Sequence, residues 1–306
     1  MMNRRKAIGS ILLTGAGVHL YPEKVSKQSF KYSLNMSTLR GHGLGFRKEL
    51  EVAAKAGYTS VEIWVDTFQK FLQSGHSLDD AKHIIQDLGL TVENAIGFAN
   101  WIVDDPAQRQ KGMMQLKLEM DQLAAIGCRR IAAPPAGAVE GEVLNLDRVS
   151  ERYRAILELG DQTGVVPQLE LWGFAKNLSR VGPLLYVASE ASHPSARLLM
   201  DVYHLHKGGS GMDSVRNVGP SLIEIFHIND YPSQPGPADI KDADRLYAGD
   251  GVAPLPQLLR DLTHPENPVI LSFEVFNKTY YGQDALLVAK TGLAKMKQVV
   301  ALSESV

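Results

Sequence analysis

The chain has 306 residues, of which 44% are apolar and 22% are charged, a composition that excludes a disordered or fibrous protein. Its 32 basic and 34 acidic side chains give a net charge of −2, so no basic field favours non-specific binding of nucleic acid. Cys128 is the single cysteine, which excludes an intrachain disulfide and a cysteine-rich zinc site. The length fits two domains or one α/β barrel of about 250 residues.

The first 28 residues predict an export signal followed by a linker. Two arginines and a lysine at positions 4–6 precede a short apolar segment, 7–20, that is rich in Gly and Ala and has no acidic residue. The paired arginines resemble a twin-arginine signal, and the alternative is a disordered cytoplasmic tail. We therefore expect residues 1–28 to lie outside the folded domain and residues 29–306 to form one domain. We also expect the protein to be periplasmic or otherwise exported, with a cytoplasmic location as the alternative.

From Phe30 onward, eight short apolar runs have the pattern of buried parallel strands. The predicted strands are Tyr32–Met36, Ser60–Val65, Thr91–Phe98, Arg130–Ala133, Val166–Trp172, Arg197–Val202, Ile223–Ile228 and Val269–Phe276. Amphipathic stretches lie between them, and four of these end at a glycine, which is typical of helix C-termini. The predicted helices are Arg47–Ala56, Leu78–Leu88, Gln108–Ile126, Leu146–Thr163, Leu178–Ser189, Leu255–Leu262 and Asp284–Leu302, with a short, weak one at Asp213–Gly219.

Eight strands that alternate with helices, without a break in composition, predict an α/β fold with a single (β/α)8 TIM barrel. A doubly wound open sheet is the alternative, and it would require a glycine-rich phosphate turn directly after the first strand. The segment Gly41–Gly45 contains three glycines but lacks the G-x-G-x-x-G spacing. We therefore interpret it as a flexible loop at the mouth of the barrel.

Four consecutive predicted strands each carry one ionisable residue near the C-terminal end: Glu170, Asp201, His227 and Glu274. Active sites of TIM barrels lie at this end of the strands, so the four side chains are expected to converge. A charge buried in an apolar run costs several kcal/mol unless it is paired or bound to a metal, and a neighbouring Lys or Arg is the alternative for any single member. Three carboxylates and one imidazole suit Mn²⁺, Mg²⁺ or Co²⁺, with Zn²⁺ possible.

These strands resemble those of the xylose isomerase-like barrels that include sugar phosphate isomerases and epimerases, and strand 8 most resembles the inosose-isomerase-like branch. The similarity covers nearly all of residues 30–302. The segments that carry it are Ala53–Trp64, Asp201–Gly209, His227–Asp230, Asp244–Arg245, Gly249–Val252 and Ser272–Asn277.

The resemblance implies that Glu170, Asp201, His227 and Glu274 hold one divalent metal, for which we favour Mn²⁺. It also implies that Glu170 and Glu274 act as acid and base. They would move a proton between adjacent carbons of a ketose through an enediolate that the metal stabilises.

Five further residues are candidates for substrate binding. His204 and Arg245 resemble family residues that contact substrate, with a supporting hydrogen bond and a surface salt bridge as the respective alternatives. Glu62, near the end of strand 2, is expected to bind a sugar hydroxyl or to pair with a Lys or Arg. Trp172 follows a strand end and suits the apolar face of a sugar, although ordinary packing is the alternative. Lys207 would serve an anionic or carbonyl group, or lie solvated in a loop.

The leading hypothesis is a metal-dependent isomerase or epimerase of a keto-sugar or polyol ketone. The main alternative is a lyase in which the same enediolate expels a β-substituent, as a dehydratase or keto-glycoside lyase would. A DNA-cleaving metalloenzyme would need more histidines for a cluster of zinc ions and a basic face for DNA, whereas this chain has 9 histidines and a net charge of −2. A non-catalytic sugar-binding protein is disfavoured because it would not need two proton-transfer carboxylates among the metal ligands. We expect a small carbohydrate as the only ligand besides the metal, no nucleic acid, no stable membrane association and a possible homo-oligomer.

Overall fold

The computed structural model describes residues 30–264 and 267–305, and the predicted export signal lies outside them. All eight strands are parallel to their neighbours and form one closed barrel in the order β1 to β8. Closure pairs β1 with β8, from Phe30 opposite Val269 to Leu34 opposite Phe273. The predicted (β/α)8 barrel is therefore confirmed.

The strands are short, as strands buried between helices usually are. They are β1 (Phe30–Asn35), β2 (Ser60–Trp64), β3 (Thr91–Ile96), β4 (Arg130–Ala133), β5 (Val166–Glu170), β6 (Leu198–Asp201), β7 (Ile223–Ile228) and β8 (Val269–Phe273). The helices are α1 (Ser37–Arg40), α2 (Phe46–Ala56), α3 (Val65–Gln73), α4 (Leu78–Asp87), α5 (Pro106–Ala125), α6 (Leu146–Thr163), α7 (Val181–Glu190), α8 (Val202–Lys207), α9 (Leu255–Leu262), α10 (Lys278–Tyr281) and α11 (Ala285–Glu304).

Local sequence signals set several helix ends. Ser77 caps α4, where its side chain accepts the amide of Asp80 while the Asp80 carboxylate accepts the amide of Ser77. Gly57 and Gly164 end α2 and α6 with φ of +95° and +77°, a left-handed conformation that favours glycine. These two helices end where the sequence predicts.

The sequence prediction is wrong about several strand ends, one helix start and some short helices. It extends β3, β5 and β8 two or three residues too far, because apolar residues continue beyond the last ladder pair. It starts α7 at Leu178 rather than Val181, and it omits the helices α1, α3, α8 and α10. The weak helix at Asp213–Gly219 is a 3₁₀ segment over Met212–Asn217.

The core has two parts. A large cluster fills the space between the strands and the surrounding helices, while a small cluster inside the barrel joins Ile96, Ala132, Leu199, Ile225 and Ile270. Because side chains alternate along a strand, the residues two positions after Leu199 and Ile225 face the same interior. Those residues are Asp201 and His227, so the apolar floor of the barrel lies directly beneath the predicted ligands.

Within the described part of the chain, no helix has the combination of length and apolarity needed to cross a membrane. Cys128 is 1% exposed and lies just before β4, at the opposite end of the barrel from the strand C-termini. It is therefore a small side chain of the core.

Candidate metal centre

The C-terminal ends of β6, β7 and β8 bring three predicted ligands together. Donor atoms of Asp201, His227 and Glu274 all lie within 4.8 Å of one another, and all three residues are buried. Glu170 is not part of this group of three, but it is buried and lines the same cavity as Glu274. The sequence-predicted set is thus gathered at one mouth, with Glu170 facing the other three from the end of β5.

The donor atoms at this site fit a divalent cation. Among the described residues, Glu170 Oε2 is buried and makes no hydrogen bond. Buried polar atoms without a hydrogen bond are rare in native proteins, and three carboxylates with one imidazole form a donor set for a hard or borderline cation. The residues that would hold it are Glu170, Asp201, His227 and Glu274.

Two basic groups share the charge of these carboxylates. The guanidinium of Arg245 is 1% exposed, and its Nη1 lies 2.8 Å from Asp201 Oδ2 and 2.8 Å from Glu274 Oε2. His227 Nδ1 lies 3.2 Å from Glu274 Oε2. Arg245 therefore reaches the centre of the site, and the alternative of a surface salt bridge is excluded by its burial.

Burial and these neighbours shift the pKa values in opposite directions. Burial raises the pKa of Glu170 to about 8, and His227 only partly opposes it. Burial also raises the pKa of Asp201, against the attraction of Arg245. For Glu274 the same burial effect is outweighed by His227 and Arg245, so its pKa is lowered. The site thus holds two carboxyl groups, Glu170 and Glu274, with very different proton affinities.

Glu62 lies behind His227 and not in the cavity. Its side chain is fully buried, and its Oε2 lies 2.9 Å from His227 Nε2. Asn94 Nδ2 donates to Glu62 Oε1 at 2.8 Å, and Asn35 Nδ2 donates to Oε2 at 3.1 Å. Burial disfavours its charged form, but His227 and these hydrogen bonds keep the pKa of Glu62 below its usual value. It therefore contacts a candidate metal ligand, His227, and is not among the residues that line the cavity.

His204, Arg245 and Trp172, three of the predicted substrate-binding residues, line the cavity. His204 lies in α8 and not at the end of a strand, because Asp201 caps this helix by accepting the His204 amide at 2.9 Å. Its ring Nε2 lies 3.2 Å from Arg245 Nη2. Burial and the neighbouring Arg245 lower the pKa of His204 well below its usual value, so the imidazole is neutral.

Lys207 does not line the cavity. Its Nζ donates to the backbone carbonyl of Ala238 at 2.7 Å, in the segment after β7. The structure therefore assigns this lysine to a loop contact.

Sequence reasoning missed several residues that shape the site. Asn229 Nδ2 donates to Asp201 Oδ2 at 2.9 Å, while its Oδ1 accepts the Tyr203 amide. Phe98, Phe174, Phe276 and Asp242 line the cavity. Asn229 and Phe276 follow β7 and β8 within three residues, so their place just beyond the C-terminal ends of barrel strands was the signal that could have identified them.

Comparisons with known proteins agree with this geometry. A sequence model of the xylose isomerase-like TIM barrel matches residues 50–299. The chain therefore belongs to the xylose isomerase-like TIM barrel family, which confirms the resemblance stated from its motifs.

Two curated relatives are inosose isomerases. That of Halalkalibacterium halodurans is 26% identical over 261 residues, covering 83% of this chain and 91% of that protein. That of Bacillus velezensis is 26% identical over 265 residues, covering 83% and 92%.

Two solved structures share the fold. The IOLI protein with a bound zinc atom superposes with a TM-score of 0.79 at 22% identity, covering 90% of this chain and all of that one. D-psicose 3-epimerase in the presence of D-fructose superposes with a TM-score of 0.71 at 16% identity, covering 88% and 99%.

Proposed function

We propose that the chain is a divalent-metal-dependent isomerase or epimerase of a keto-sugar or polyol ketone. The observation that carries this proposal is the pair of buried carboxyl groups, Glu170 and Glu274, that line one cavity beside Asp201 and His227. A second support is that curated relatives along most of the chain are named inosose isomerases.

A divalent cation held by Glu170, Asp201, His227 and Glu274 would place positive charge beside a substrate carbonyl and so stabilise an enediolate. Mn²⁺ is our proposal for the native ion, with Mg²⁺, Co²⁺ and Zn²⁺ as alternatives. The zinc atom in the related IOLI structure supports a divalent ion in this family without selecting Mn²⁺.

The two carboxyl groups would move the proton. Glu170 and Glu274 reach the cavity from strands that are separated by β6 and β7, so they approach a bound ketose from different directions. One would remove a proton from the carbon beside the carbonyl, and the other would return a proton to the intermediate. Return to the same carbon from the other side gives epimerisation. Return to the former carbonyl carbon gives isomerisation, in which the hydroxyl proton also passes to the former carbonyl oxygen.

The other polar groups would orient the substrate. Arg245 lines the cavity, and its Nε, which has no hydrogen-bond partner among the described residues, would donate to a substrate oxygen. The two ring nitrogens of His204 contact Arg245 Nη2 and the Gly173 amide, so His204 would hold the guanidinium in place. A guanidinium that is already held by Asp201 and Glu274 loses little further freedom when it binds an oxygen, which favours precise positioning.

The test is proton exchange of ketoses in D₂O, followed by NMR with protein loaded with Mn²⁺, Mg²⁺ or Co²⁺. Glu274→Gln and Glu170→Gln should each lower the exchange rate by about 100-fold or more, because each removes a proton-transfer group. Glu93→Gln is the matched control, since Glu93 on β3 pairs with Arg130 away from the cavity. Undiminished exchange in both cavity variants would remove these carboxyl groups from the mechanism.

The same NMR spectra examine the lyase alternative. An unsaturated or cleaved product would show elimination, whereas exchange with retention of the carbon skeleton would support isomerisation or epimerisation.

We also propose that the protein is exported by the twin-arginine route, from the paired arginines at positions 4 and 5. Fusion of residues 1–28 to a folded reporter should direct the reporter to the periplasm. Replacement of both arginines by lysine should abolish that transfer, and unchanged transfer would contradict the proposal.

A further inference from the structure

One side of the cavity is built from aromatic rings. These rings belong to Trp64, Phe98, Trp172, Phe174 and Phe276, which we name the aromatic wall. The rings contact one another in a continuous row, with centroids separated by 6.1 Å from Phe276 to Trp64, 5.3 Å from Trp64 to Phe98, 6.0 Å from Phe98 to Trp172 and 5.2 Å from Trp172 to Phe174. Such a row presents a large apolar surface to whatever enters the cavity.

The polar groups lie on the floor and on the other side. Of the residues that line the cavity, Glu170 and Glu274 belong to the metal centre, and His204, Asp242 and Arg245 are linked to one another. The wall adds little hydrogen-bonding capacity. The Trp64 indole already donates to Asn35 Oδ1 at 3.1 Å, and the Arg40 guanidinium covers its ring at 4.1 Å.

Two members of the aromatic wall are unusually exposed. Phe98 is 38% exposed and Phe174 is 40% exposed, and their rings flank the half-buried Trp172. Large apolar side chains exposed side by side at the opening of a cavity mark a binding surface, because their contact with water is unfavourable and a ligand that covers them is stabilised. This surface is continuous with the metal centre and extends outward from it.

A free keto-sugar matches only part of this division. The apolar face of one sugar ring can stack on one aromatic ring such as Trp172, but hydroxyl groups directed at the remaining rings would give up hydrogen bonds to water without receiving others. The cavity has a volume of about 220 Å³, below the roughly 300–1,000 Å³ of typical ligand pockets, and it is open to solvent, so part of a larger ligand would lie at its opening. The cavity therefore has a polar end for the reacting carbons and an apolar end for an apolar substituent of the substrate.

We propose that the substrate is a glycoside of a keto-sugar whose apolar aglycone packs against Phe98, Trp172 and Phe174. This inference rests on the proposed function, which places the ketone and its neighbouring hydroxyl at the metal centre. The ketone then stands on a ring carbon other than the anomeric one, because the anomeric carbon carries the aglycone.

The experiment compares methyl and phenyl glycosides of a 3-keto-β-D-glucopyranose with the metal-loaded protein. Binding is followed by the fluorescence of Trp64 and Trp172, and proton exchange is followed by NMR in D₂O. The phenyl glycoside should bind about tenfold more tightly than the methyl glycoside, because the aromatic pairs add to the burial of apolar surface. In the double variant Phe98→Ala/Phe174→Ala, this preference should fall to about twofold or less.

Leu118→Ala is the matched control, since Leu118 is 54% exposed on α5 outside the cavity and its loss should leave the preference intact. Thermal unfolding of the double variant shows whether it keeps the fold. Equal affinity for both glycosides in the unmodified protein would overturn the proposal. If a free ketose still exchanges its proton in that case, the proposed function stands, whereas absence of exchange with every ketone overturns the function itself. Even without proton exchange, the comparison of the two affinities shows whether the aromatic wall selects the phenyl group.

Discussion

Asp230 and Gly251 lie so close together that only a glycine fits at position 251. A Cβ atom there would stand 2.4 Å from Asp230 Oδ1 and 2.2 Å from the Tyr231 carbonyl oxygen. The Asp230 carboxylate accepts four backbone amides at 2.8–3.0 Å, those of Tyr231, Gly249, Gly251 and Ala253. Its backbone also pairs with Leu246, the neighbour of Arg245. One buried carboxylate therefore ties the segment that carries Arg245 to the end of β7.

Asp230→Ala should loosen this segment. Four buried amides would lose their acceptor, and we expect the free energy of unfolding to fall by about 3 kcal/mol. The measurement is urea denaturation. Asp239→Ala is the control, because Asp239 is exposed in the same segment and its loss should change stability by less than about 0.5 kcal/mol. Equal stability of the two variants would show that Asp230 does not anchor the segment.

The fold could be predicted almost completely because its signals are local. Strands of four to six residues, and helix ends at glycines such as Gly57 and Gly164, can be recognised from a few neighbouring positions. Prediction failed where one residue takes part in two elements. Val202 continues an apolar run, yet it begins α8, because Asp201, the last residue of β6, also caps that helix.

The candidate site could be predicted only in part. The ligand types stand at strand ends, where the topology of a barrel assigns their position. The partners of those ligands come from elsewhere in the chain: Arg245 meets Asp201 across 44 positions, and Glu62 faces His227 from the opposite part of the sequence. No periodicity encodes such pairs, because each depends on where a loop or a distant strand is placed.

Glu62→Gln should weaken metal binding. The carboxylate lies 2.9 Å from His227 Nε2, and its replacement removes the negative charge that orients and polarises the imidazole. Groups that support a metal ligand in this way typically change affinity by about 10- to 100-fold. Titration of chelator-treated protein with Zn²⁺ or Mn²⁺ in a calorimeter measures the effect. Glu93→Gln on the neighbouring strand should leave the affinity unchanged, and an unchanged affinity in Glu62→Gln would show that His227 needs no such support.

Arg245→Met should make the fold depend on the metal. Without the guanidinium, the buried carboxylates of Asp201 and Glu274 have lost their shared cation, which costs about 3–5 kcal/mol. A divalent cation restores positive charge at the same place, so saturating Mn²⁺ or Zn²⁺ should raise the midpoint of thermal unfolding more in the variant than in the unmodified protein. Arg154→Ala, which breaks an exposed pair with Glu158, is the control. Equal increases in all three proteins would contradict the assignment of the site.

Glu49 on α2 should make stability depend on pH. It is 5% exposed, and burial raises its pKa to about 7, an effect that Arg40 opposes and Asp66 reinforces. Because the pKa of a raised carboxyl group is higher in the folded than in the unfolded chain, its contribution is complete at low pH and is lost as the pH rises through about 7. In Glu49→Gln the side chain stays neutral at every pH. Between pH 5 and pH 8 the unmodified protein should therefore lose about 2 kcal/mol of unfolding free energy relative to this variant, as measured by urea denaturation at each pH. Glu51→Gln on the same helix is the control, since Glu51 is only half-buried. If the pH profile of Glu49→Gln instead parallels that of the unmodified protein, Glu49 is already ionised in the folded chain.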